Sequence, residues 1–214
     1  MEYKKCGAIL RCAVCGKTEM SQYVKAEHDF VPVKCECEAP KRGRLINVIG
    51  DVTTPQRVEE SEVVYLPHVC NDEGGWGMGV AMAISRKWKG PEYIYRAYIA
   101  KHGPGSHNLF TTGFWDSNKS NETGNIVVCN MVAQHGYKDA DNPRPLNYEA
   151  LVKCMRDVAL QIKDDEKEFA APRRIHCPKF GSDLAGANWK FILKLIEDIW
   201  LASGIDVVVY EYVG

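Results

Sequence analysis

The chain has 214 residues, of which 45% are hydrophobic and 26% are charged, and its formal net charge is −1. This length suffices for one domain with a sizeable core, or for one domain with a small appendage. The near-neutral charge excludes a generic basic binder of nucleic acid or of membrane surfaces, and no apolar run reaches membrane-spanning length. The N-terminus lacks the apolar core and cleavage site of a signal peptide, so we expect a cytoplasmic protein without a membrane partner.

The nine cysteines fall into two groups. Their odd number argues against a complete secreted disulfide framework. Cys70, Cys129, Cys154 and Cys177 lie in apolar segments, which favours buried, reduced thiols and a reducing compartment.

Residues 1–40 are predicted to form a small zinc-ribbon-like module. A C-x₂-C pair and a C-x-C pair flank a segment that can form a short hairpin, and so short a module has too few residues for a core of its own. Thiolates from two turns can hold one structural Zn²⁺ in tetrahedral geometry. The second spacing departs from C-x₂-C, so Cys6 and His28 are alternative ligands, and a reduced or disulfide-linked arm is the alternative to zinc. The predicted ligands are Cys12, Cys15, Cys35 and Cys37.

Residues 41–214 are predicted to form an α/β domain, entered through a polar linker. Strands and helices alternate, which predicts a mixed, largely parallel central sheet with helices on both faces. The charged run DDEKE near residue 166 is expected to be solvated after the third helix. Strands are expected at 45–49, 63–66, 109–115, 125–134, 174–177 and 206–212. Helices are expected at 79–88, at 91–100, from just after residues 144–147 to about 163, and from Asn188 to Gly204.

The most informative stretch is HVCNDEGGWGMGVAMAISRKW, residues 68–88. It follows a predicted buried strand, is rich in glycine and then begins a helix, an arrangement that directs backbone N–H groups at a phosphate. Its spacing matches neither GxGxxG nor GxxxxGK[ST], so the common dinucleotide and P-loop motifs do not fit. A plain tight turn is the alternative. His68, Asn71 and Asp72 come at the carboxyl end of the strand, where open α/β sheets bind ligands.

Four blocks in order resemble a known family: NVIGDVT (47–53), HVCNDEGGWGMGVA (68–81), NIVVCNMVAQ (125–134) and PKFGSDLAGANW (178–189). With them, residues 44–214 resemble a macrodomain, the ADP-ribose-binding α/β module. The second block is similar to the H-x-C-N-x-x-G-x-W-G-x-G pattern of the ADP-ribose 1''-phosphate phosphatase-like branch, of bacterial and bacteriophage type. The resemblance implies a three-layer α/β/α fold and ADP-ribose, or a derivative of it, as ligand.

The resemblance also implies ligand contacts. Asp51 should accept a hydrogen bond from the adenine amino group, with the Val52 N–H beside it, although a carboxylate there could simply cap a turn. Asn71 should reach the distal ribose or satisfy the strand end, and Trp76 should line the ribose pocket or act as a half-buried wedge. The diphosphate should lie against two loops, which contribute Gly75, Trp76, Gly77, Met78, Gly79 and Val80, and Gly181, Ser182, Leu184, Ala185 and Gly186.

Three positions depart from related patterns. A lysine-dependent glycohydrolase relative carries a lysine nucleophile and an aspartate where this chain has Gln134 and Ala185. Glutamine cannot form the Schiff-base-type intermediate that a lysine amine forms. Asp183 stands where the family usually has glycine, and its carboxylate would repel a diphosphate unless it points away or handles a proton.

Two functions are therefore predicted. The first is a hydrolase that removes phosphate or a macromolecular acceptor from the 1'' position of ADP-ribose with an activated water. The second is a non-catalytic reader of ADP-ribose or ADP-ribosylated targets, with the zinc module docking to protein, RNA or DNA. We expect a cytoplasmic location, in the host cytoplasm if a phage encodes the chain. Arg86 and Lys87 are expected on a solvated helix face, and the candidate catalytic residues are His68, Asn71, Asp72, His135 and Asp183.

Overall fold

The computed structural model describes residues 4–11, 18–24, 29–31, 41–120, 124–168, 170–181 and 186–213, and only the backbone of the first three ranges. The chain divides into two compact units, Met1–Lys41 and Arg42–Gly214.

The N-terminal unit contains an antiparallel sheet of β1 (Lys4–Arg11), β2 (Thr18–Val24) and β3 (Asp29–Val31). The β2–β3 pair is the hairpin predicted between the cysteine pairs. The predicted zinc ligands Cys12, Cys15, Cys35 and Cys37, and the alternative ligand His28, lie outside the described residues.

The C-terminal unit is built on a six-stranded sheet. The strand Thr111–Asp116 runs antiparallel to its neighbour Ile126–Gln134 and the other pairs are parallel, which confirms the predicted mixed, largely parallel sheet. In spatial order the strands are β4 (Leu45–Ile49), β9 (Val207–Glu211), β8 (Arg173–Pro178), β5 (Val63–Asn71), β7 (Ile126–Gln134) and β6 (Thr111–Asp116).

Helices cover both faces of this sheet, as a three-layer α/β/α fold requires. Alternate residues of β5 point to opposite cores: Leu66 packs with Ile84 of the helix Gly79–Lys87, whereas Tyr65 packs with Met155 of the helix Tyr148–Glu168. No helix in the described part of the chain is long and apolar enough to cross a membrane. The helices are α1 (Gly79–Lys87), α2 (Gly90–His102), α3 (Tyr148–Glu168) and α4 (Trp189–Leu195), which continues as a wider π-helical turn over Ile196–Leu201.

Helix α3 is longer than predicted, because it contains the charged run that was expected to follow it. Pairs one turn apart, Lys163 with Glu166 and Asp164 with Lys167, place opposite charges side by side on its surface. The charges are solvated, as expected, but they are helical. Two further expectations are confirmed: the Asn188 side chain caps α4 by accepting the Lys190 N–H, and the four cysteines of the apolar segments are free and buried.

The carboxyl ends of the five parallel strands lie along one edge of the sheet. Asp51 follows β4, the glycine-rich stretch follows β5, His135 follows β7, and Gly181 follows β8. Strands β4 and β7 are four inter-strand steps apart, or about 19 Å. A ligand that contacts both ends of this edge must therefore be extended.

Helix α2 packs so closely on the sheet that its first residue must be glycine. A methyl group on Gly90 would lie 1.9 Å from Nε1 of Trp115, which is buried. We predict that Gly90→Ala lowers the free energy of unfolding by about 1–3 kcal/mol, the usual cost of overpacking. Urea unfolding followed by tryptophan fluorescence measures this change.

Gly113→Ala is the matched control, because the added methyl group would have only ordinary contacts, at 3.8 Å or more. Equal stability of the two variants would contradict the close packing of α2.

Candidate functional site

The Asn71 side chain organises the loop that follows β5. Its Oδ1 accepts the N–H groups of Glu73 and Gly75 at 2.9 and 3.0 Å, and its Nδ2 donates to the Gly75 carbonyl at 2.8 Å. The Tyr95 hydroxyl, from α2, donates to the Asn71 carbonyl and accepts the Gly74 N–H. Asn71 is therefore occupied in shaping the loop, which matches the alternative that its amide satisfies the strand end.

Asp72 and His135 form a hydrogen-bonded pair at the ends of β5 and β7. His135 Nδ1 lies 2.6 Å from Asp72 Oδ2, and Gly136 N–H donates to Asp72 Oδ1 at 2.8 Å. The Asp72 side chain is fully buried, whereas 59% of the His135 side chain is exposed. The hydrogen bond and the negative charge of Asp72 raise the pKa of His135 above its ordinary value. Since Nδ1 faces the carboxylate, Nε2 is the ring nitrogen that remains for a ligand or a water.

His68 occupies a different environment, inside the layer between the sheet and α2. It is fully buried, and its Nε2 lies 2.7 Å from the Oδ1 of Asn130, whose amide donates to the Pro91 carbonyl. Burial lowers the pKa of His68 to about 4, so the ring is neutral at pH 7. This buried position suits a structural histidine that packs under the site. The catalytic role of His68 stays a prediction.

Trp76 packs against His68 and Tyr95, with ring centroids 5.1 and 5.5 Å away. Its indole N–H donates to Ser85, which donates in turn to Glu92. These contacts describe the half-buried wedge, one of the two alternatives for this residue. The wedge fastens the glycine-rich stretch to α1 and α2.

The next segment, Gly77 to Gly79, is exposed. No described side chain caps the N-terminus of α1, which begins at Gly79. The first N–H groups of a helix have no partner within the helix and carry partial positive charge. This segment therefore offers donors to an anion, as the sequence predicts for Gly77, Met78, Gly79 and Val80.

Asp51 begins the turn after β4. Its Oδ1 accepts both the N–H and the hydroxyl of Thr53, each at 2.8 Å, while the side chains of Val52 and Thr53 are buried. The carboxylate thus caps the turn. Its Oδ2 has no hydrogen-bond partner among the described residues. Capping therefore leaves one oxygen free to meet a ligand.

Lys87 lies on the exposed face of α1, as predicted, but it also makes specific contacts. Although exposed, its ammonium donates to the Thr53 carbonyl and to the Thr54 hydroxyl, both at 2.7 Å. The helix that begins at the glycine-rich loop is therefore tied to the turn that carries Asp51. Helix α1 therefore positions both the glycine-rich loop and the Asp51 turn.

The second predicted loop, after β8, is described only at its ends. Gly181 and Gly186 have φ values of 75° and 65°, a conformation that favours glycine. A methyl group on Gly186 would lie 2.6 Å from the Pro143 carbonyl oxygen, so this loop contacts the one after β7. The predicted site residues Ser182, Asp183, Leu184 and Ala185 lie outside the described residues.

Comparison with known proteins supplies the family. No protein-family model matches the chain. A protein of unknown function from Bacteroides thetaiotaomicron is similar to it, with 32% identity, a TM-score of 0.66, and coverage of 78% of this chain and 98% of the other. A macrodomain protein from Streptomyces coelicolor is similar as well, with 34% identity, a TM-score of 0.62, and coverage of 78% and 99%.

This chain belongs to the macrodomain family. Among curated proteins it is similar to a protein from Debaryomyces hansenii named ADP-ribose 1''-phosphate phosphatase, with 25% identity over 163 residues, which cover 70% of this chain and 88% of the relative.

In this macrodomain, several residues that shape the site escaped sequence reasoning. The sequence patterns did not single out Tyr95, Gly136 or Asn142. Asn142 donates to the carbonyl groups of His135 and Tyr137, and so braces the loop that presents the histidine. A Gly and an Asn close to a strand end are turn signals, and these two mark a structured loop after β7.

The Asp72–His135 pair predicts a measurable titration. In a histidine NMR titration, the pKa of His135 should lie above the ordinary value of about 6.5. Asp72→Asn should lower it, because the imidazolium loses the charge that stabilises it. Folding raises the pKa of His135. The pair therefore stabilises the fold at pH values below the His135 pKa of the unfolded chain, and this stabilisation is lost as the pH rises through the His135 pKa of the folded protein.

Asp139→Asn is the matched control. Asp139 lies in the same loop, but its carboxylate accepts the N–H groups of Asp141 and Asn142 rather than contacting the imidazole. A His135 pKa that responds equally to both substitutions, or to neither, would contradict the pairing.

Proposed function

We propose that this macrodomain binds ADP-ribose or a derivative and hydrolyses a group at the 1'' position of the distal ribose with an activated water. The single observation that carries the proposal is the Asp72–His135 pair at the end of the same edge that carries Asp51 and the exposed glycine-rich stretch. The name of the relative from Debaryomyces hansenii supports phosphate as the group removed.

The binding mode follows from the order of groups along the sheet edge. The adenine amino group would donate to Oδ2 of Asp51, and the diphosphate would accept hydrogen bonds from the backbone at Gly77–Val80. Charge-assisted bonds of this kind are stronger than neutral ones. In this binding mode the distal ribose would lie near the ends of β5 and β7.

His135 has the arrangement of a general base. Asp72 accepts from Nδ1–H and fixes the ring, so Nε2 presents a lone pair that can take a proton from water. The resulting hydroxide attacks the phosphorus, the bond to the ribose oxygen breaks, and the proton held on Nε2 passes to that oxygen. Asp72 stabilises the imidazolium in between, as the carboxylate does in a hydrolytic triad.

A lysine-based covalent route has no support at position 134. Gln134 holds the place of the lysine of the lysine-dependent relative, and its Nε2 donates to the Gly136 carbonyl at 2.8 Å. Its amide braces the loop that carries His135, and an amide is not a nucleophile of the lysine type.

The binding part of the proposal predicts micromolar affinity for ADP-ribose, about −7 to −8 kcal/mol. Asp51→Asn should weaken binding about tenfold, or about 1.4 kcal/mol. The asparagine can keep the cap on Thr53 with one oxygen, but its amide would face the adenine amino group, donor against donor. Isothermal titration calorimetry measures both values.

Glu59→Gln is the control, an exposed residue that precedes β5. No heat from ADP-ribose with a folded sample would overturn the binding assignment.

The catalytic part predicts that His135→Gln lowers kcat for release of phosphate from ADP-ribose 1''-phosphate by about 10²–10⁴, the usual contribution of a general base. Binding of ADP-ribose should persist, because the imidazole acts on the water. The acid limb of the pH–rate profile should follow the His135 pKa. Activity should rise with pH, since the base must be unprotonated.

His102→Gln is the matched control, an exposed histidine near the end of α2. Full activity of His135→Gln would remove the nominated base. Tight ADP-ribose binding without turnover by the wild-type protein would instead identify a reader.

We also propose that the N-terminal unit is a zinc-ribbon-like module with one structural Zn²⁺, a docking role toward a macromolecule, and a cytoplasmic setting of bacterial or bacteriophage type. The support for zinc is the spacing of Cys12, Cys15, Cys35 and Cys37, pairs that follow β1 and β3 in the chain. Metal analysis should find about one zinc per chain, lost in the Cys12→Ser, Cys35→Ser double variant. If the double variant retained zinc, Cys6 or His28 would be a ligand instead.

A further inference from the structure

Tyr137 is an exposed aromatic residue seated on the glycine-rich loop. It is 55% exposed, yet a methyl group on Gly75 would lie 2.1 Å from its hydroxyl oxygen and 2.8 Å from two ring carbons. The phenol ring therefore rests directly on the Gly75 backbone. It bridges the loop after β7 to the loop after β5.

Both sides of this contact are held in place. Gly75 is fixed by Asn71 through its N–H and its carbonyl. The loop that carries Tyr137 is braced by Asn142, and by the Gly136 N–H bond to Asp72. Side-chain-to-backbone hydrogen bonds therefore hold the backbone on both sides of this contact.

Tyr137 also lies in the same loop as the nominated base. Tyr137 and His135 are two residues apart, both are exposed, and the buried carboxylate of Asp72 anchors the segment between them. An aromatic ring in this place adds nothing to the cores of the domain. It is instead exposed, and so is accessible to a ligand.

We propose that Tyr137 is a specificity-determining residue, whose ring closes the distal end of the site over Gly75 and restricts the size of the 1'' substituent. A small anion such as phosphate fits beside the ring, whereas a bulky polypeptide acceptor would clash with it. The proposal rests on the proposed function, and it distinguishes phosphate from a polypeptide as the 1'' substituent.

The experiment compares two ligands, free ADP-ribose and a peptide that carries ADP-ribose on a glutamate ester. The measured quantity is the ratio of their dissociation constants, which does not depend on turnover. In the wild type the peptide should bind at least about tenfold more weakly, a difference of 1.4 kcal/mol. In Tyr137→Ala the ratio should fall to about twofold, or 0.4 kcal/mol, and in Tyr137→Phe, which keeps the ring, it should stay near the wild-type value.

Tyr93→Ala removes a more exposed aromatic side chain from α2 and should leave the ratio unchanged. Equal ratios in wild type and Tyr137→Ala, or ready cleavage of the peptide ester by the wild type, would overturn the role of Tyr137. Absence of ADP-ribose binding in every variant would overturn the proposed function itself, so the two failures are distinct.

Discussion

The candidate site depends on one buried carboxylate. Asp72 accepts hydrogen bonds from His135 and Gly136, its N–H donates to the Gln134 carbonyl, and its carbonyl accepts the Gly105 N–H. The ends of β5 and β7 and the segment after α2 therefore meet on one residue. A buried charge is costly unless it is paired and hydrogen-bonded, and these partners meet that requirement for Asp72. The same requirement holds the imidazole at the mouth of the site.

Three histidines of the domain differ in burial and in the direction of their pKa shift, and so in the roles open to them. Burial lowers the pKa of His68, whose ring supports Trp76 from below. Burial also lowers the pKa of His176, although Glu62 lies 2.8 Å from its Nε2. His135 keeps more than half of its side chain in solvent, and Asp72 raises its pKa. Among these three, only His135 combines an oriented ring with access to a substrate.

The sequence predicted most of the scaffold because its signals are local. Alternating strands and helices predicted the sheet, and the glycines between Glu73 and Val80 predicted a turn before α1. Asp72 and His135 were both candidates, but their pairing is tertiary: they lie 63 residues apart and meet only because β5 and β7 are neighbours. For the same reason the ties from Lys87 to the Asp51 turn and from Tyr95 to Asn71 could not be predicted. They join a helix to loops whose positions depend on the whole sheet.

The central claim is that the edge from Asp51 to His135 is one ligand site. A crystal structure of the full chain with ADP-ribose tests it most directly. The account predicts the adenine amino group at Asp51, the diphosphate on the backbone N–H groups of Gly77–Val80, and the 1'' hydroxyl, which carries the phosphate in the substrate, directed toward Nε2 of His135. A ligand with its 1'' carbon directed away from His135, or bound at another edge of the sheet, would contradict it.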